Sequence, residues 1–161
     1  MHQARQAGVL QPLESAFLAE RVPANLRDPD GYWYGFTQRA RVIVYAPERV
    51  SADELDSYEG LAAAQWRGRV LVRSSANVYN QSLLSSMIDA NGKRQAIQWA
   101  QKVRRNMARP PQGSDRDQMR AVAAGLGDLA IVNTYYLGLL AQSSNAKDRA
   151  VAAPLKIFFP N

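Results

Sequence analysis

The sequence predicts an α/β layered domain with a largely parallel sheet flanked by helices. Three observations point there. Short apolar segments (ARVIVYA, RVLVR, DLAIV, LKIFF) recur along the chain, stretches of helical length lie between them, and capping or turn residues mark the boundaries. A chain of 161 residues suits one domain with a real core, and no internal repeat or low-complexity tract interrupts it.

The elements follow in order. AGVLQPLESAFLAERVP reads as the end of one helix, a Pro-containing turn and a short second helix, and RDPDGYW as a turn punctuated by Pro29 and Gly31. YWYGFT and ARVIVYA, aromatic and β-branched, read as two strands separated by polar TQR. Ser51 and Glu54 form an S-x-x-E capping box that predicts a helix to about Ala64. RVLVR is a strand, and SSANVYNQSLLSSMIDANG a turn into a helix that stops at Gly92. KRQAIQWAQKVRRNM is a second helix with Ala96, Ile97, Ala100 and Val103 along one side, ended by Pro110-Pro111. Ser114 caps DRDQMRAVAA, DLAIV is a strand, TYYLGLLAQSS a helix and LKIFF a final strand.

Composition narrows the chemistry. The net charge is +6, but the arginines are scattered and match no nucleic-acid motif, so a general basic surface is expected rather than nucleic-acid binding. No apolar run approaches the roughly 20 residues of a membrane span. MHQARQAGV lacks a basic start followed by an apolar stretch, so it is not read as a signal peptide; the chain reads as a mature form, a fragment or a trimmed chain. Cysteine is absent and the one histidine, His2, adjoins the initiator methionine, which removes thiolate sites and leaves no sound catalytic triad. With the acid–base and nucleophilic players absent or unpaired, an enzyme is not predicted. Any metal must be held mainly by oxygen, which favours hard cations.

In open α/β sheets, ligands gather beyond the carboxyl ends of the strands, where helix N-termini also point. SSANVYNQ after RVLVR and NTYY after DLAIV meet that description, and they carry Tyr79, Tyr135 and Tyr136. A free phenol ionises near pH 10, but a hard trivalent ion can displace the proton and take the phenolate as a ligand. Taken alone, the Tyr135–Tyr136 pair reads more readily as packing than as ligation. Tyr32, Tyr34, Tyr45 and Tyr58 are assigned to packing, and the acids of DELDSYE to a solvated face. SSAN fits a plain cap and an anion-binding turn about equally.

The residues NTYYLGLL and RSSANVYNQS, with AGVLQPLES, VPANLRDPDGYWYGFTQRARVIVY, GSDRDQMRAVAAGLGDLAIV and LKIFFPN, resemble the tyrosine-rich branch of periplasmic ferric iron-binding proteins. These are the substrate-binding subunits of iron(III) ABC importers, and the resemblance runs over essentially the whole chain. It implies a three-layer lobe of the type II periplasmic-binding-protein kind, with a mainly parallel sheet. It implies Fe(III) as cargo, held by Tyr79, Tyr135 and Tyr136, and an inner-membrane ABC permease as partner to a periplasmic protein.

Family members with a synergistic anion hold it in a small-residue turn and with asparagines. Here the turn reads Ser74-Ser75-Ala76 and Asn133 matches one asparagine, with Arg73 beside them as a further anion-binding candidate, while the second asparagine falls near Asp115, whose charge should repel an anion. Carbonate, citrate or no anion therefore fits better than phosphate. The resemblance further implies that residues 1–46 are a remnant of a first lobe with inter-lobe crossing strands, and residues 47–161 a second lobe carrying the tyrosines. An exposed crossing strand such as ARVIVYA would be a template for pairing between two copies. The alternative function is an anion-binding or ligand-free structural lobe of the same fold.

Overall fold

The computed structural model describes residues 1–160. They form two compact units, Met1–Gln38 and a second that begins at Arg39.

The first unit contains α1 (His2–Gln6) and α2 (Ala16–Arg21), the latter capped by Ser15, whose Oγ accepts from the Leu18 amide. Asp28 ties the rest together, accepting from the Arg5 guanidinium and from the Tyr32 amide at 3.1 Å. YWYGFT is not a strand: Tyr34 makes only an isolated bridge to Arg27, and its hydroxyl donates to the Leu13 carbonyl. Aromatic propensity has no effect where this unit offers no sheet to join.

The second unit is a four-stranded sheet between two helical layers. In chain order it holds β1 (Arg41–Tyr45), β2 (Val70–Val72), α3 (Val78–Asn91), α4 (Lys93–Asn106), α5 (Asp115–Ala123), β3 (Leu129–Asn133), α6 (Tyr135–Ala141), α7 (Ala146–Ala152) and β4 (Lys156–Phe158). The sheet order is β2-β3-β1-β4. β2 runs parallel to β3, and β1 runs antiparallel to both β3 and β4. Three strands thus share one direction, but β1 is inserted against them, so two of the three pairings are antiparallel and the sheet is mixed rather than mainly parallel. β1 is hydrogen-bonded along both edges and its residues Val42, Ile43 and Val44 are fully buried, so ARVIVYA offers no free edge for a second copy. The expected pairing between chains through this strand is therefore corrected.

Alternate residues of the sheet feed two cores. Ile43, Tyr45, Val70, Leu129 and Ile131 pack with Leu83 and Met87 of α3, Ala96 and Val103 of α4, and Leu61 and Trp66. Val42, Val44, Leu71, Ala130 and Val132 pack on the other side with Met119 and Val122 of α5, Leu140 of α6 and Ala152 of α7. Gly92 alone joins α3 to α4; its φ of 81° is one that other residues rarely adopt.

Two further differences from the sequence reading have physical causes. The expected helix from Ser51 to Ala64 is three short 3₁₀ turns, although the Ser51–Glu54 capping box forms. Its core residues Val50, Leu55, Leu61 and Trp66 recur every five or six positions, so each return to the core needs a new turn rather than a continuous helix. Sequence reasoning missed α7, although Asn145 caps it by accepting from the Lys147 amide. Within α4, Ile97 faces outward and Trp99 inward, its indole N–H donating to the Tyr58 carbonyl at 2.6 Å.

Candidate metal centre at two strand–helix junctions

β2 and β3 are parallel neighbours in register, with Val72 opposite Ile131, so the chain leaves the sheet at the same end from both. From β2 it makes a turn and enters α3, with Tyr79 in the first helical turn; from β3 it passes through Thr134 directly into α6, whose first two residues are Tyr135 and Tyr136. The two helices therefore start side by side. The Tyr79 and Tyr135 hydroxyl oxygens lie 3.3 Å apart, and the Tyr135 and Tyr136 rings stack at 4.2 Å with a 37° tilt. All three side chains are half-buried. Of the three tyrosines named from the sequence, Tyr79 and Tyr135 meet through their hydroxyls, while Tyr136 stacks on Tyr135 and packs against the core that holds Met119 and Leu140.

Cations surround this cluster. The guanidinium of Arg73 lies 5.3 Å and that of Arg41 5.8 Å from the Tyr79 ring; Arg39 is 5.8 Å from the Tyr135 ring and Arg116 5.6 Å from that of Tyr136.

A carboxylate lies among the residues expected to hold an anion. Asp115 is wholly buried at the start of α5. Its Oδ2 accepts from Arg41 at 2.9 Å and from the Asn133 amide at 2.8 Å, and its Oδ1 accepts from Arg73 at 3.2 Å. Arg41 also donates to the side chains of Asn133 at 3.2 Å and Asn80 at 2.6 Å. Burial pulls the Arg41 guanidinium below its ordinary value, with Asp115 pulling the other way. The Nε atoms of Arg41 and Arg73 are buried without a partner among the described residues, a polar cost at this spot.

The remaining candidate residues form the β2–α3 turn. The Ala76 amide points at the Ser74 hydroxyl at 3.4 Å, and Ser75 and Ala76 are exposed. Asn77 caps α3 by accepting from the Tyr79 amide at 2.9 Å, and Asn80 donates back to the carbonyls of Arg73 and Ser74. SSAN therefore contains a helix cap. Arg73 and Asn133 are engaged by Asp115 rather than left open, and the charge of Asp115 is offset by two guanidiniums. The sequence reading missed Arg41 and Asn80. A charge opening the apolar run RVIVY was the available signal for Arg41; Asn80 gave none beyond its place in NVYNQ.

Among the described residues no group of three or more His, Cys, Asp or Glu gathers in a way that could hold a metal ion. A metal taken up at these junctions would meet phenol oxygens, which suit a hard cation.

Known proteins place this geometry in context. The family model for bacterial extracellular solute-binding proteins matches residues 1–161. Iron uptake protein A2 of Synechocystis is 51% identical over 158 residues, 98% of this chain and 46% of that protein. The major ferric iron-binding protein of Neisseria meningitidis is 22% identical over 88% of this chain and 43% of its own length. Among solved structures, a Trichodesmium protein (IdiA, FutA) in complex with iron and citrate superposes with a TM-score of 0.94 at 49% identity, over 99% of this chain and 50% of that one. The ferric binding protein of Campylobacter jejuni gives 0.93 at 42% identity, over 99% and 51%. The chain spans about half the length of these relatives. With its whole length matched and its sheet superposing so closely, the chain belongs to the bacterial extracellular solute-binding protein family.

Proposed function

We propose that this chain binds ferric iron through the phenolates of Tyr79, Tyr135 and Tyr136. The observation that carries the proposal is the meeting of Tyr79 and Tyr135, their oxygens 3.3 Å apart at the ends of two parallel strands, with Tyr136 stacked beside Tyr135. The names of its relatives, which include ferric iron-binding proteins and a complex with iron and citrate, support the choice of cargo. Three phenolates offset the charge of Fe(III), and the nearby guanidiniums of Arg39, Arg41, Arg73 and Arg116 favour loss of the phenol protons as the metal enters. Remaining coordination positions are filled by water, carbonate or a chelator such as citrate. With Arg73 and Asn133 held by Asp115, a separate anion has few free donors, which favours an anion bound through the metal over one in a pocket of its own.

In this reading residues 47–161 are the second lobe of a two-lobed carrier and residues 1–46 belong to its first lobe and crossing segments. The carrier would work in the periplasm and deliver iron to an ABC permease in the inner membrane. Coordination from one lobe is incomplete, so iron should be held more weakly than in a closed two-lobed protein.

Addition of ferric nitrilotriacetate should produce a visible tyrosinate-to-iron charge-transfer band, stronger as pH rises because each ligand releases a proton. Tyr135→Phe/Tyr136→Phe should abolish the band, and Tyr79→Phe should weaken it. A wild-type solution that stays colourless, or a double variant with an unchanged band, would sink the proposal.

A further inference from the structure

Five arginines of the second unit are tied to acids, and other arginines without an aspartate partner among the described residues, such as Arg39, Arg67 and Arg116, lie singly along the chain. Arg41, Arg49, Arg69, Arg73 and Arg120 each pair with an aspartate. On α4, by contrast, Lys93, Arg94, Lys102, Arg104 and Arg105 are exposed, and none has an ion pair or side-chain hydrogen bond among the described residues. The helix carries no carboxylate. Its inner stripe is Ala96, Trp99, Ala100 and Val103, so the cations lie on its outer surface, over about 18 Å at 1.5 Å per residue. Ile97, 43% exposed, sits among them, and Ile88 of the adjoining α3 is 38% exposed. Gln101, Arg104 and Arg105 line a shallow recess.

We propose that this outer face of α4 docks on an anionic phospholipid membrane. Unpaired cations on a helix that carries no carboxylate match a surface of phosphate headgroups in sign and in extent, with the exposed acids Glu59 and Asp89 confined to the end near Lys93. The row is too long and too open to enclose one small anion, whereas a bilayer presents many phosphates in a plane. The exposed isoleucines distinguish lipid from other polyanions. An apolar side chain between cations can enter the headgroup–acyl boundary, as on amphipathic helices that lie in the interface, and finds no such place on a nucleic-acid backbone. The surface is separate from the tyrosine junctions, and the proposal holds whether or not iron binds.

Co-sedimentation with vesicles tests it. The 161-residue chain should bind vesicles of phosphatidylglycerol mixed with phosphatidylcholine, release in high salt, and ignore phosphatidylcholine alone. Each cation near an anionic surface is worth roughly a fivefold change in affinity. Lys102→Glu/Arg105→Glu should therefore weaken binding by at least about 25-fold. Lys147→Glu/Lys156→Glu changes the net charge equally at exposed positions outside α4 and should leave affinity within about twofold if the α4 face is what binds. Circular dichroism checks that both variants fold. Equal losses in the two variants would show a net-charge effect and overturn the proposal. So would an absence of binding to the anionic vesicles, or binding to a DNA duplex without binding to vesicles.

Discussion

The two junctions that bring the tyrosines together are built in opposite ways. The β2–α3 junction is a turn held by side chains: Asn77 caps the helix, and Asn80 spans from Arg41 back to the carbonyls of Arg73 and Ser74. The β3–α6 junction has almost no turn. Thr134 is already helical and makes no side-chain cap, and its amide instead donates to the Ala40 carbonyl. One junction is specified by local polar chemistry and the other by the sheet beside it. Asp115 joins them, since one oxygen takes Arg73 of the first and the other takes the Asn133 amide of the second. A turn held by side chains and an exit held by the sheet are thus fixed to one buried carboxylate, which sets where Tyr79 stands relative to Tyr135.

Removing the shared brace should break the comparison altogether. Asp115→Ala leaves Arg41 and Arg73 buried beside each other without their counter-ion, and such a loss costs about 3–5 kcal/mol. Urea denaturation should show that drop, and amide exchange should rise at Asn133 as well as in the β2–α3 turn. An intact midpoint would mean that the two junctions stand independently.

Asn80→Ala should act on one junction only. It leaves Arg41 and two carbonyls short of a partner, for about 1–3 kcal/mol, with exchange at Asn133 unchanged. Asn77→Ala removes one cap and should cost only about 1 kcal/mol. If Asn77→Ala proved worse than Asn80→Ala, the turn would be held by its cap and not by its link to the sheet.

The mildest test concerns a tyrosine outside both junctions. Tyr58 donates to the Arg41 carbonyl, and burial pushes its hydroxyl up to about 12 against the pull of Arg41. The folded state thus favours the neutral phenol. That contribution is complete below the ordinary tyrosine value near 10 and drains away as pH rises from there toward 12. Ultraviolet titration should show a late transition that Tyr58→Phe removes; a late transition that persists would place it on another residue.

Local signals in the sequence carried much of this fold. RVLVR and DLAIV are apolar runs with clear ends, and Ser114 and Gly92 punctuate the helices as their chemistry dictates. The nearness of Tyr79 and Tyr135 was also legible, because strand-to-helix exits in such sheets share one side. What escaped depends on distant partners. YWYGFT has strand-forming residues without a ladder to join, and nothing local in RVIVY says that it runs against its neighbours. Asp115 looked like a first-turn acid or a repellent to anions; its role becomes visible only once Arg41 and Arg73 arrive from two other strands' ends.

The position of β1 also has a consequence for biogenesis. It is made before both of its partners, residues 129–133 and 156–158. At about 5–20 residues per second, an apolar strand waits on the order of ten seconds for both neighbours to be made. Throughout that time it is an uncovered sheet centre, and such long-range pairing is slow even when the chain is complete. Until Phe158 has emerged, Val42, Ile43 and Val44 lack one of the two neighbours that bury them.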